Sequence, residues 1–256
     1  MLNFRVKNKI IISSLALAFF VSPATFAVSY YAGISGGNQY LMNDSSVDIL
    51  PGSYYPDGSF VTDEIKTGDS GGVGEFYFGI SSMPYKSMYI GLEANITGFS
   101  ASSNSEVGYQ ADDNPVLLIS SDSSVKYAAG LSIMPGYVFS DSQTMVYARM
   151  GIEYIRFSNT LAPSNNEYDP GTSFVDPADG FTADSIAYRA GLGIEHYVSP
   201  SLSLRVEGDF WHVNKIDNSI LYVSIANDPA YNVERVSTFG INMITATVGL
   251  TYHFGG

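Results

Sequence analysis

With three histidines and no cysteine, the chain has few groups fit for nucleophilic or acid–base chemistry. His212 lies in FWHVN (210–214), and an imidazole can activate a serine only when the hydroxyl is within hydrogen-bond reach. Two residues on, where such a partner would be useful, stands Asn214. No catalytic residue is assigned, and the chain is not expected to be an enzyme. Oxygen ligands for a hard cation occur in Asp112–Asp113, in Glu167 with Asp169 and in Asp176 with Asp179. None has the spacing of a calcium loop, so they read as solvated acids, and neither a metal nor a cofactor is expected.

A larger charged set is sorted by position. In EFYFGI (75–80), IGLEANIT (90–97), VYARMGIEY (146–154), IAYRAGLGIE (186–195) and LRVEGDF (204–210), apolar residues alternate with small or polar ones. That period of two is the signature of β-strands. Glu75, Glu93, Arg149, Glu153, Arg189, Glu195, Arg205, Glu207 and Asp209 all fall on the non-apolar parity. A soluble sandwich alternates too, but it turns its apolar face inward and covers the outside with lysine, glutamate and threonine. Here the polar face is glycine-rich, nearly free of lysine and charged with both signs, as suits a narrow lumen where guanidinium and carboxylate groups pair. These nine residues are therefore expected to form a lumen ion-pair network.

The elements that would position them follow from the connections. Three are short, at 82–87 around Pro84, at 140–143 and at 199–202 around Pro200; four are long and polar, at roughly 38–72, 99–124, 157–184 and 214–238. Starting from YYAGISGG (30–37), long and short connections alternate around eight strands. The expected fold is all-β, an eight-stranded antiparallel transmembrane β-barrel with four long extracellular loops and three short periplasmic turns. The strand at 126–139 carries Pro135 near its short-turn end, where a missing donor is tolerable. The last strand, ATVGLTYHFGG (246–256), is apolar on one parity and ends on aromatics. In lipid a spanning sheet must close and must present such a face outward. His196 and His253 are expected near the short-turn ends at the headgroup level.

Residues 1–27 place Arg5, Lys7 and Lys9 before an apolar run from Ile10 to Val21 and small residues at Thr25 and Ala27. The run is too short to span a membrane, so it reads as a signal peptide, with the barrel domain at 28–256. Twelve basic and 25 acidic residues give a formal charge of −13, and no basic run lies beyond the N-terminus, which excludes nucleic-acid binding. The four long connections hold 18 acids against three bases.

Thr247-x-Gly249-x-x-Tyr252-x-Phe254 resembles the C-terminal signal read by the assembly machinery of Gram-negative outer membranes, followed here by Gly255 and Gly256. With YYAGISGG and the eight-strand layout, the chain resembles the superfamily of small outer-membrane barrels that includes the OmpA transmembrane domain, OmpX and opacity proteins. The resemblance implies an outer-membrane location and partners among outer-membrane lipid, lipopolysaccharide, the assembly machinery and host surface or matrix components. It implies a structural or adhesin-type surface role carried by the acidic loops, with no peptidoglycan-binding domain following the barrel. A narrow ion channel or porin-like protein is the alternative. A lipid A-modifying enzyme is less favoured, because deacylase barrels carry a His-x-Ser pair where this chain has His212 and Asn214. Loop tyrosines, Tyr54, Tyr55, Tyr168, Tyr222 and Tyr231, are expected to supply contact area at low entropic cost.

Overall fold

The computed structural model describes residues 28–50, 61–85, 87–109, 117–139, 143–163, 181–224 and 232–254. Nine segments form one antiparallel sheet: β1 (Val28–Leu50), β2 (Val61–Tyr85), β3 (Met88–Phe99), β4 (Ser102–Tyr109), β5 (Leu117–Val138), β6 (Thr144–Pro163), β7 (Phe181–Ser199), β8 (Leu202–Ser224) and β9 (Asn232–Phe254). Each pairs with its chain neighbour, except that β3 and β4 both pair with β5 and so make one interrupted stave. β1 closes on β9, from Tyr30 opposite Phe254 to Leu50 opposite Glu234. The result is a ring of eight staves, closed through the apolar band as lipid demands of a sheet; beyond the band β7 and β8 are no longer paired past Ala187 opposite Val213. The interruption has a local cause. Ser100 donates its N–H to the Gly72 carbonyl at 3.0 Å, and its side-chain oxygen accepts from the Gly72 N–H at 2.7 Å, so a side chain carries part of the ladder while Ala101 turns into the interior.

Much of what the sequence marks as long loop is strand. β1 and β2 stay paired out to Ile49 opposite Val61, and β8 and β9 out to Ser224 opposite Asn232. Segments such as NDSSVD (43–48) are polar on both parities, so no period-two pattern reports them, yet antiparallel pairing needs only backbone and continues through them. The short connections lie where expected, at 85–88, 138–144 and 199–202. Pro135 also behaves as expected. The β5–β6 ladder skips from Ile133–Met150 to Gly136–Tyr147, and Pro135 itself faces outward.

The wall is inverted relative to a soluble protein. Ile34, Phe76, Ile96, Leu131, Ile152 and Val248 stand exposed on the outside, and Leu192 is 72% exposed. All nine sequence-selected charges are buried inside. Aromatics bound the apolar band: Tyr30, Tyr85, Tyr137, Phe139, Tyr252 and Phe254 at the short-turn end, and Tyr40, Tyr127, Tyr154, Tyr188 and Phe210 at the other. Tyr252 and Phe254 meet edge to face at 5.0 Å. On β9 the band runs from Ile244 to Phe254; with a rise of about 3.3 Å per residue and a tilt of about 40°, it spans about 25 Å, the height of a hydrocarbon core crossed by a barrel.

Candidate functional site

Apart from a slip on β5, alternate residues of the described staves point inward, and the lumen is filled in three levels. At the short-turn end Tyr89, Met134, Met145 and Tyr147 form an apolar cluster. The polar side of this level is a corner of Glu195, Ser203 and His253. Ser203 donates its hydroxyl to Glu195 Oε1 at 2.5 Å, and His253 Nε2 lies 2.8 Å from that same oxygen and 3.0 Å from Ser203 Oγ. A Ser–His–acid relay needs the carboxylate on one imidazole nitrogen and the hydroxyl on the other. Here both groups meet Nε2, so the corner is a hydrogen-bonded brace. The expectation for His253 at the headgroup level is corrected: it is 7% exposed and points into the lumen, flanked by the ring of Tyr197 at 4.8 Å. Parity on β9 requires this, because Thr247, Gly249 and Thr251 face inward with it. His196 does face outward, within 2.9 Å of Thr144 Oγ1.

In the middle level three guanidinium groups are shared among six carboxyl groups from five staves. Arg149 on β6 touches Glu75 on β2 at 3.1 Å, Glu207 on β8 at 3.0 Å and Glu93 on β3. Arg189 on β7 reaches Glu75 at 2.7 Å, Glu207 at 2.9 Å, Asp209 at 2.7 Å and, more loosely, Glu153 at 3.9 Å. Arg205 on β8 joins Glu93 at 2.8 Å to Glu195 at 3.2 Å. Glu75, Glu93 and Glu207 therefore each bridge two arginines, and the nine residues form one connected lattice. Neutral donors take up further carboxylate lone pairs: Tyr147 donates to Glu207 at 2.5 Å, Thr97 to Glu75 at 3.0 Å and Asn95 to Glu153 at 3.1 Å. Arg205 also lies over the ring of Tyr77 at 4.3 Å, and Arg189 over Trp211 at 4.5 Å, which offsets part of the cost of removing them from water. Small residues make the room. A Cβ at Gly33 would fall 2.4 Å from the Tyr77 ring, and one at Gly193 would fall 2.1 Å from the ring of Tyr147.

Above the lattice the interior turns apolar. Leu41, Val125, Ile155, Phe157, Trp211 and Ile241 pack with other buried side chains into a continuous plug, with Phe99 edge-on to Trp211 at 5.6 Å. Sequence reasoning missed this plug, since Trp211, Ile155 and Ile241 share a parity with the charges below them and only their height in the barrel distinguishes them. It also missed a charge pair on the outer wall just beyond the apolar band. Arg156 on β6 donates through Nε and Nη2 to the two carboxylate oxygens of Asp184 on β7, at 2.8 and 3.2 Å. Hydrogen bonds from Arg156, and then from Tyr154, hold the Asp184 carboxyl below the usual carboxylate range.

The remaining candidates separate. His212 faces outward and its Nδ1 meets Asn242 Oδ1 at 2.8 Å, while Asn214 is exposed two residues along. Among the described residues no three His, Asp or Glu side chains converge on a place that would hold a metal ion. Asp112, Asp113, Glu167, Asp169, Asp176 and Asp179 lie outside the described residues, as do Tyr54, Tyr55, Tyr168, Tyr231 and segment 1–27; Tyr222 lies on β8, with its side chain outside the description. In the last strand Thr247 and Gly249 face the lumen, and Tyr252 and Phe254 face outward.

No protein-family model and no curated protein sequence matches the chain. Among solved structures it is similar to the outer membrane protease OmpT of Escherichia coli, at 12% identity over 90% of this chain and 98% of that one, with a TM-score of 0.49. It is similar to the outer membrane protein OprG of Pseudomonas aeruginosa, at 18% identity over 88% and 96%, with a TM-score of 0.47. The attachment invasion locus protein Ail of Yersinia pestis matches at 12% identity over 88% and 98%, with a TM-score of 0.33. At such identities no activity or ligand passes from these proteins to this chain. A closed antiparallel ring of eight staves, apolar outside and charged within, gives the chain the fold of a small outer-membrane β-barrel.

Proposed function

We propose that the chain is an integral outer-membrane barrel of a Gram-negative bacterium, exported by a signal peptide at 1–27, and that it acts as a surface protein with a structural or adhesin-type role. The observation that carries this reading is the filled lumen: among the described residues the interior holds an ion-pair lattice capped by an apolar plug. Contact with other molecules then belongs to the outer wall and to the end of the barrel away from the short turns. The acid excess there, 18 against three bases over the four long connections, favours partners with basic surfaces over polyanions. Host surface or matrix proteins of that character are the proposed partners. Thr247, Gly249, Tyr252 and Phe254 are proposed as the strand read by the assembly machinery.

The test replaces residues 51–60, 110–116, 164–180 and 225–231 with short turns and leaves the staves intact. Loss of binding to host cells or matrix, with heat-modifiable gel mobility preserved, supports the reading. If binding persists and deleting the gene leaves cells detergent-sensitive, the role is structural. Loss of acyl chains from lipid A on expression would replace it with an enzyme reading. Mass spectrometry of the purified protein should give an N-terminus at Val28, and an intact Met1 in the inner membrane would overturn the location.

A further inference from the structure

Among the described side chains, the outer wall carries one cationic spot at the edge of the apolar band. On β5 the register slips between Val125 and Tyr127. The inward set is Ser123 and Val125 on one side of the slip and Ala128, Ser132 and Met134 on the other. Lys126 and Tyr127 consequently both face outward, and Lys126 has no partner in the β6 ladder. Bulges of this kind re-aim a side chain at the expense of ladder pairing. On the next stave Arg156 stands opposite Tyr127, its guanidinium 5.7 Å from the ring centroid. Asp184 engages only Nε and Nη2 of that guanidinium, so the Nη1 donors are not used by this pair. Among the described outward-facing side chains, Lys126 and Arg156 are the only lysine and arginine.

Their height fixes what they meet. The apolar band ends just below them at Tyr154, Ile186 and Tyr188, which puts the pair in the headgroup plane if the barrel spans a membrane. This inference rests on that reading. Phosphate esters there pair well with a lysine ammonium and an arginine fork, and the tyrosine rings suit the adjoining sugar. We infer that Lys126 and Arg156, with Tyr127 beside them, bind a phosphate group of a phosphorylated glycolipid in the outer leaflet.

The experiment uses native mass spectrometry of the refolded protein in neutral detergent. It is offered a bisphosphorylated acylated disaccharide, the same glycolipid after enzymatic dephosphorylation, and inorganic phosphate. The wild type should retain the phosphorylated glycolipid and bind the other two at least about tenfold more weakly. Lys126→Gln with Arg156→Gln should lower retention roughly tenfold. Asp184→Asn should maintain or raise it, because it frees Arg156 and removes a negative charge. A pair that merely ties β6 to β7 predicts instead that Arg156→Gln and Asp184→Asn behave alike, with retention unchanged. Equal retention of the dephosphorylated glycolipid, or a double variant that binds like the wild type, overturns the site. Heat-modifiable mobility shows that each variant is folded. Insertion into neutral phosphatidylcholine vesicles keeps the two readings apart: failure to insert sinks the membrane reading, and normal insertion without phosphate dependence sinks only the site.

Discussion

Arg149 is the residue on which the interior turns. Its guanidinium touches Glu75, Glu93 and Glu207, and all four side chains are buried. Replacing it with leucine removes one charge and leaves Glu75 and Glu207 to Arg189 and Glu93 to Arg205, each with one arginine in place of two, and breaking a buried pair from one side costs about 3–5 kcal/mol. Arg149→Leu should therefore lower the urea midpoint in lipid vesicles by a corresponding amount; an unchanged midpoint would mean that the lattice is not formed. Arg156 is the contrasting case. Its side chain and that of Asp184 are 41% and 39% exposed, so water and salt screen the pair. The Asp184 carboxyl is held low by Arg156. The pair's contribution is therefore complete above the ordinary aspartate range and is lost as pH falls through the lowered value. Carboxyl titration by NMR should find Asp184 titrating below the exposed aspartates, and Arg156→Gln should raise it toward them.

The staves depend on close approach at the seam that closes the ring. Gly36 and Gly37 are adjacent on β1 but meet different surroundings. A Cβ on Gly36 would lie 3.7 Å from the Val73 carbonyl oxygen, an ordinary contact, whereas one on Gly37 would fall 1.9 Å from the Ala246 carbonyl oxygen on β9. Backbone cannot swing aside as a side chain can, so Gly37→Ala must push β1 away from β9. Gly36→Ala is expected to be nearly neutral and Gly37→Ala to cost about 1–3 kcal/mol. Both are read from denaturation midpoints and from the fraction that refolds to the heat-modifiable form. Equal behaviour of the two variants would contradict the register at this seam. Pro135 shows the same economy of position, since it breaks the β5–β6 ladder near a short turn and leaves β5 paired with β3.

For the molecule as a whole, the decisive property is that the described interior is filled by the lattice and the apolar plug above it. The plug contains Trp211, the sole tryptophan, fully buried and in contact with Arg189 below it. Its fluorescence should be blue-shifted and resistant to acrylamide in the folded barrel and should become quenchable on unfolding. The intact protein should give no regular conductance steps in planar bilayers. Trp211→Ala should cost about 3–5 kcal/mol through the cavity it leaves, and it is the variant in which small conductance events are expected to appear. Large regular steps from the wild type would return the porin alternative to first place.

Face assignment, turn positions and stave number were all legible in the sequence, because alternation is local: a residue's parity within a strand decides whether it faces outward or into the lumen. Hence all nine charges could be placed inside from 75–80, 90–97, 146–154, 186–195 and 204–210 alone, and His253 would have been placed there too had parity been given priority over its nearness to a turn. Tertiary structure alone decided the rest. That Glu75 on β2 meets Arg189 on β7, 114 residues away, follows from ring closure and stagger, which bring opposite staves together at heights no single strand encodes. The same closure separates Trp211 from Asp209, giving one to the apolar plug and the other to the lattice, although they are two residues apart on one face. Pairing of β1 with β2 and β9, and of β8 with β9, also continues beyond the apolar band, where backbone hydrogen bonding goes on after the side-chain pattern has ended.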